Sequence, residues 1–121
     1  MSGSQIRSQI LNWIIEADEL LSKGDVVQAS EKYYKAAEEA LKLIAVKLNM
    51  TDILEKVKKR RRWDSVYLFE VAKRVSLEVW EIWLSSWTLH VYGFHEMKLK
   101  IQDVKEKGNK VKNIVYFINR L

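Results

Sequence analysis

Two amphipathic stretches meet at Gly24-Asp25, and this joint constrains the fold more than any other feature of the 121-residue chain. Before it, Ile6, Ile10, Trp13, Ile14, Ala17, Leu20 and Leu21 recur at spacings of three and four, which marks one face of a helix. Ser4 is the expected cap at its start. Gly24 supplies a left-handed residue to end that helix, and Asp25 with Gln28 restarts one by capping-box logic. The second stripe runs through Val26, Ala29, Tyr33, Ala36, Ala40, Leu41 and Ile44 towards Asn49. Two long helices joined so tightly must fold back on each other as an antiparallel hairpin.

The rest of the chain keeps the helical period. Thr51 and Asp52, with Glu55, open a short helix that runs into Lys56-Val57-Lys58-Lys59-Arg60-Arg61-Arg62. Asp64 or Ser65 caps the next, with Leu68, Phe69, Ala72 and Val75 inward; Ser76 starts another, striped by Trp80, Trp83, Trp87, Val91 and Phe94. The last helix carries a heptad of Ile101, Val104, Gly108, Val111, Val115 and Ile118. Gly108 on that seam costs about 1 kcal/mol against alanine, so it either allows close helix approach or marks a kink. No segment alternates as a strand does. The expectation is a single all-α domain over residues 1–121, an up-and-down bundle of about five helices. Five tryptophans, five tyrosines and three phenylalanines give it core mass without a disulfide or a metal. The tryptophan stripe reads first as core. Its bulk, and a heptad able to pair with itself across a twofold axis, also suggest a homodimer.

Composition removes several function classes. The chain has no cysteine, which excludes thiol catalysis and suits a reducing, cytoplasmic setting. The N-terminus lacks the basic start and apolar run of a secretory leader. Val75 to Phe94 is the most apolar stretch, but Glu78 and Glu81 interrupt it, so no membrane span is expected. The net charge of +5 is concentrated: residues 1–55 are net acidic, while residues 56–62 hold six basic groups and no acid. That run could neutralise several phosphates, with Trp63 and Tyr67 placed to stack on bases. Lys58, Lys59, Arg60, Arg61, Arg62 and Trp63 are therefore the candidate nucleic-acid contacts. The competing readings are a solvated connector whose arginines pair with the acidic first hairpin, and a patch for an acidic protein partner.

Both histidines fall in one octapeptide, Leu89-His90-Val91-Tyr92-Gly93-Phe94-His95-Glu96. On a continuous α-helix His90 lies over Trp83, Trp87 and Phe94, while His95 points roughly 140° away. The two rings could then share a ligand only if the helix breaks between them, and Gly93 is placed to break it, with Glu96 opening the last helix. One reading is a buried, hydrogen-bonded His90 and a His95 that steadies the corner. The other is a site with His90, His95 and Glu96 as ligands or acid–base groups. The spacing matches no zinc signature, so neither a metal nor a cofactor is assigned. Nucleophile triads and glycine-rich phosphate loops are absent at any recognisable spacing.

Two resemblances follow from these residues. Trp13, Ala17, Leu20, Gly24, Asp25, Ala29, Tyr33 and Ala36 resemble one tetratricopeptide unit, but a solenoid needs several copies and there is one. Over nearly the whole chain, the run Ala17-Asp18-Glu19-Leu20-Leu21-Ser22-Lys23-Gly24-Asp25, its continuation Gln28-Ala29-Ser30-Glu31-Lys32-Tyr33-Tyr34-Lys35-Ala36-Ala37-Glu38-Glu39-Ala40-Leu41 and the histidine octapeptide resemble the archaeal PaREP family. That family is similar in turn to the HEPN helical bundles. The resemblance implies a HEPN-like bundle, often dimeric, in a cytosolic archaeal protein, and it suggests a component of a toxin–antitoxin or nucleotidyltransferase pair. HEPN ribonucleases carry an arginine followed, after four to six residues, by a histidine. Here those positions hold Trp83, Leu84 and Ser85 before His90, and Thr88, Leu89 and His90 before His95. The resemblance therefore carries over the fold and not the ribonuclease chemistry. The function expected first is a non-catalytic interaction module working through residues 56–62, with an enzyme using the histidine segment as the alternative.

Overall fold

Helix α1 (Gly3–Ser22) begins one turn earlier than its apolar stripe demands, because Ser2 rather than Ser4 is the cap. The Ser2 hydroxyl accepts from the Gln5 amide at 3.2 Å and the Gln5 side chain accepts from the Ser2 amide at 2.8 Å, so two orphan donors are satisfied reciprocally. Gly24 (φ +82°) ends the helix, and the Asp25 carboxylate accepts from the Gln28 amide at 3.1 Å to open α2 (Val26–Lys47). The expected hairpin forms at the expected joint. The computed structural model describes residues 2–121.

Helix α2 is the axis of the molecule and touches every other helix. Its composition explains why it can. Ala29, Ala36, Ala37, Ala40 and Ala45 are all buried, and side chains this small let neighbours approach from several directions. Around it stand α3 (Thr51–Arg60), α4 (Ser65–Val75), α5 (Leu77–Thr88) with a π-helical turn continuing it (Leu89–His95), α6 (Ile101–Lys112) and the short α7 (Ile114–Ile118). Counting α5 with its π turn, and α6 with α7, gives six rods rather than about five. Extended backbone at Ser76 (φ −173°, ψ 165°) separates α4 from α5 where the sequence places a restart; its hydroxyl caps α5 through the Val79 amide at 3.1 Å. All described secondary structure is helical, and no described helix is long and apolar enough to cross a membrane.

The two features that suggested a homodimer are both used inside the chain. Trp83 is 1% exposed, and Trp80 and Trp87 pack beside it against Phe69. On the last helix Val104, Gly108, Val111 and Ile118 are buried. Gly108 permits close approach: a Cβ there would lie 2.7 Å from the Tyr33 ring. Part of the heptad seam thus packs on α2, while Ile101 at its start stays exposed.

Candidate functional site

The chain does not break at Gly93. Instead the helix widens, and the turn Leu89–His95 pairs its backbone five residues apart, as in the Glu96 amide to Val91 carbonyl bond at 2.9 Å. Packing against α2 accounts for the glycine. A Cβ at Gly93 would come within 2.4 Å of the Ser30 hydroxyl, so only glycine lets this turn reach α2. Leu89 and Gly93 are its buried positions. The corner comes later, at Met97 (φ +54°), and α6 starts at Ile101 rather than Glu96.

The widened turn decides where the imidazoles point. In an α-helix, residues five apart diverge; with i→i+5 pairing they stack one turn above each other. His90 and His95 consequently face each other, Nε2 to Nε2, at 3.1 Å. An unbroken rod was expected to separate these rings, and a π-helical one joins them. π-Turns inside α-helices cost regular hydrogen bonding and are frequent at functional sites.

Glu31 on α2 completes the group, with Oε1 2.9 Å from His90 Nδ1. An ionised carboxylate only accepts, so His90 donates through Nδ1–H, and a neutral His90 then presents a bare Nε2 to His95. In that tautomer a hydrogen bond between the two Nε2 atoms has His95 donating. The Glu31 and His90 side chains are 16% and 20% exposed, while His95 is exposed outright. Tyr34 stacks on the His90 ring at 4.1 Å, and Trp87 lies 5.5 Å away. Burial, then the charges of Glu38 and Glu31, push the Tyr34 phenol well above its ordinary value. Tyr34 therefore serves as a floor and not as an acid.

Of the three residues assigned to this site from sequence, His90 and His95 come together and Glu96 does not. Its carboxylate pairs with Lys98 at 3.4 Å. Glu31 takes the carboxylate role, 59 positions away in sequence from the ring it contacts.

The basic segment is arranged differently. α3 ends at Arg60, and Arg61 takes a left-handed conformation (φ +59°). Arg60 Nε meets Asp64 at 2.9 Å and Arg62 Nε binds the other oxygen of the same carboxylate. These arginines are thus held locally and not by the first hairpin. Asp64 occupies the cap position of α4 without capping it, since both its oxygens are taken. The two guanidinium groups hold the Asp64 carboxyl below its usual range. Trp63 is half-buried against the core; all the cations of the segment are exposed, and Lys58, Lys59 and Arg61, joined by Lys56, are those without an ion pair among the described residues.

A model of the archaeal PaREP1/PaREP8 family matches residues 5–115, which spans both the hairpin and the histidine turn. The chain belongs to this family. A crystal structure of a Sulfolobus solfataricus protein is similar to this PaREP chain at 44% identity and a TM-score of 0.85, covering 93% of this chain and 94% of that one. A solution structure of the same structural-genomics target matches at 44% identity and a TM-score of 0.79, covering 91% and 88%. No curated protein matches.

In this PaREP chain Glu31 was the residue that sequence reasoning missed. Its signal was faint but present: Tyr34, three positions on and so on a neighbouring line of the same helix, is an aromatic residue beside the core stripe. Nothing local says that the histidine turn packs there.

Proposed function

We propose that the Glu31–His90–His95 group is a proton-transfer centre, and that the chain acts on substrates presented to its open surface. The observation that carries this reading is the 3.1 Å contact between the two Nε2 atoms, with a carboxylate already on the far nitrogen of His90. His95 takes a proton from the substrate at Nδ1 and passes its Nε2 proton to His90. His90 becomes an imidazolium against the Glu31 carboxylate, which orients the ring and offsets its charge. Returning the proton along the same path supplies the acid. Glu96 lies outside this path. A HEPN-like role as half of a two-component pair would use the same exposed imidazole against a second chain.

The test is a panel of RNA, DNA, phosphate esters and carboxylate esters, assayed with the parent chain and with His90→Gln, His95→Gln and Glu31→Gln. Turnover that falls by roughly 10²–10⁴ in either histidine variant, with the helical circular dichroism unchanged, is the expected result. Turnover indifferent to both histidines, or none across the panel, overturns the reading.

A second reading keeps the basic segment as a docking patch for a polyanion. It is favoured by the exposed cations Lys56, Lys58, Lys59 and Arg61, which cluster at the end of α3 and make no ion pair among the described residues. Nucleic acid is the partner their spacing suits best, with an acidic protein as the alternative.

A further inference from the structure

We infer that His90 and His95 hold a divalent transition-metal ion of the zinc, nickel or copper class through their Nε2 atoms, with Glu31 as the outer partner that fixes the His90 ring. The inference uses the same imidazole pair as the proton-transfer reading but is an alternative to it, because an ion on both Nε2 atoms removes the path by which the proton would pass.

Distance is the first argument. Two imidazole nitrogens, each about 2.0–2.1 Å from a tetrahedral ion, lie roughly 3.3 Å apart. The observed Nε2–Nε2 separation is 3.1 Å, so displacing the one intervening proton and opening the pair by a few tenths of an ångström makes the cradle. Nothing in the backbone has to move, because His95 is exposed and its ring is free to adjust.

The second argument concerns the other nitrogen of His90. Metal-ligating histidines almost always donate their second N–H to a carboxylate, a carbonyl or a water, which sets the tautomer and raises ligand basicity. Glu31 stands at that position, 2.9 Å from Nδ1 and 16% exposed. It reaches there from a different helix, and Tyr34, stacked on the His90 ring at 4.1 Å, holds the ring plane. A ring needed only to fill space would not require a carboxylate brought from α2.

The third argument is the turn itself. Widening the helix to i→i+5 pairing at Leu89–His95 is what superimposes histidines spaced five apart. Imidazole donors select zinc, copper and nickel over magnesium and calcium, which demand oxygen. No third histidine or carboxylate joins the pair among the described residues, and Glu96 is turned to Lys98. The remaining coordination positions would therefore belong to water or to a substrate group, as in an open site.

Equilibrium dialysis of the full chain against Zn²⁺ tests this, together with the electron paramagnetic resonance of the chain loaded with one equivalent of Cu²⁺. One ion per chain is expected, with two nitrogen donors in the Cu²⁺ spectrum. His90→Gln and His95→Gln should each abolish stoichiometric binding, and Glu31→Gln should weaken it by roughly 10–100-fold. Absence of stoichiometric binding, binding unchanged in either histidine variant, or a Cu²⁺ spectrum without two nitrogen donors overturns the inference. The spectrum of the parent chain decides the matter even if a variant fails to fold. Stoichiometric binding without imidazole-dependent turnover upholds the ion and overturns proton transfer; turnover without stoichiometric binding does the reverse.

Discussion

The histidine turn and the basic segment stand out in the sequence for the same reason: each gathers one kind of chemistry into seven or eight residues. The fold treats them oppositely. His90 acquires a carboxylate and an aromatic floor from a helix more than fifty positions away, while Arg60 and Arg62 are satisfied by Asp64 a few residues on. A partner brought from afar has to be held by tertiary packing, and that packing fixes the plane of the His90 ring. A partner found nearby asks nothing of the fold, and the basic segment stays on the surface. Long-range support, rather than local concentration, separates a built site from a solvated patch here.

The contrast is broken most forcefully at Gly93. Adding a methyl group there places it 2.4 Å from Ser30 Oγ and 2.7 Å from Ser30 Cβ. Gly93→Ala should cost about 1–3 kcal/mol in denaturant unfolding, the usual range for overpacking a tight contact. Ser30→Gly in the same chain removes both clashing atoms and should recover part of that loss, which a double-mutant cycle would show as coupling. A single alanine at Lys58, Lys59 or Arg61 should stay within about 0.5 kcal/mol of the parent. If Gly93→Ala proved as mild as these, the close approach of the π turn to α2 would not be what sets the site.

A smaller effect should appear when Asp64 is replaced by asparagine. The carboxylate currently ties down Arg60 and Arg62, and it makes no cap bond whose loss would confuse the outcome. Releasing both guanidinium groups adds two unpaired cations to the four that already make no ion pair among the described residues. If the segment docks on a polyanion, affinity for a nucleic-acid duplex should rise, and the slope of log K against log salt should steepen by roughly 1.8. An unchanged slope would mean that the arginines never reach phosphate, and the docking reading would lose its main support.

How far the sequence could see follows from the same contrast. The hairpin at Gly24-Asp25, the Ser76 restart and the inward faces of Trp83, Val104 and Val111 were all legible, because helical period and capping are local properties. The pairing of Arg60 and Arg62 with Asp64 was within reach of the same reasoning, which looked instead to the acidic hairpin. Two things were out of reach. Period analysis assumes a turn of fixed width, so it placed His95 on the wrong side of the rod and asked Gly93 to break a helix that it only lets through. Glu31 looked like any other charge beside a core stripe, since its role depends on which helix packs over α2. Glu96 lies apart from the imidazole pair for the complementary reason: adjacency to His95 in sequence does not bring its carboxylate to the rings, and it pairs with Lys98.

The mildest test lies at the start of α3, where Asp52 is held across to α4 by both terminal nitrogens of Arg74, at 2.9 and 2.6 Å. Asp52 looks in the sequence like a first-turn acid serving its own helix, yet the fold spends it on a neighbouring one. The Arg74 hydrogen bonds hold its carboxyl down from 3.8 to about 2. A carboxyl whose folded value is depressed contributes stability above its unfolded value and loses it as the pH falls through the folded one. The contribution of this pair is therefore complete above about pH 4 and should vanish between pH 4 and pH 2. Both side chains are well exposed, so the effect is small and weakens with salt. Arg74→Met should lower the unfolding midpoint slightly at pH 7, and the two chains should converge as the pH approaches 2. A gap that persists at pH 2 would mean that Arg74 supports α4 through Glu70 or through packing of its stem, and that α3 carries its basic segment without help from the fold.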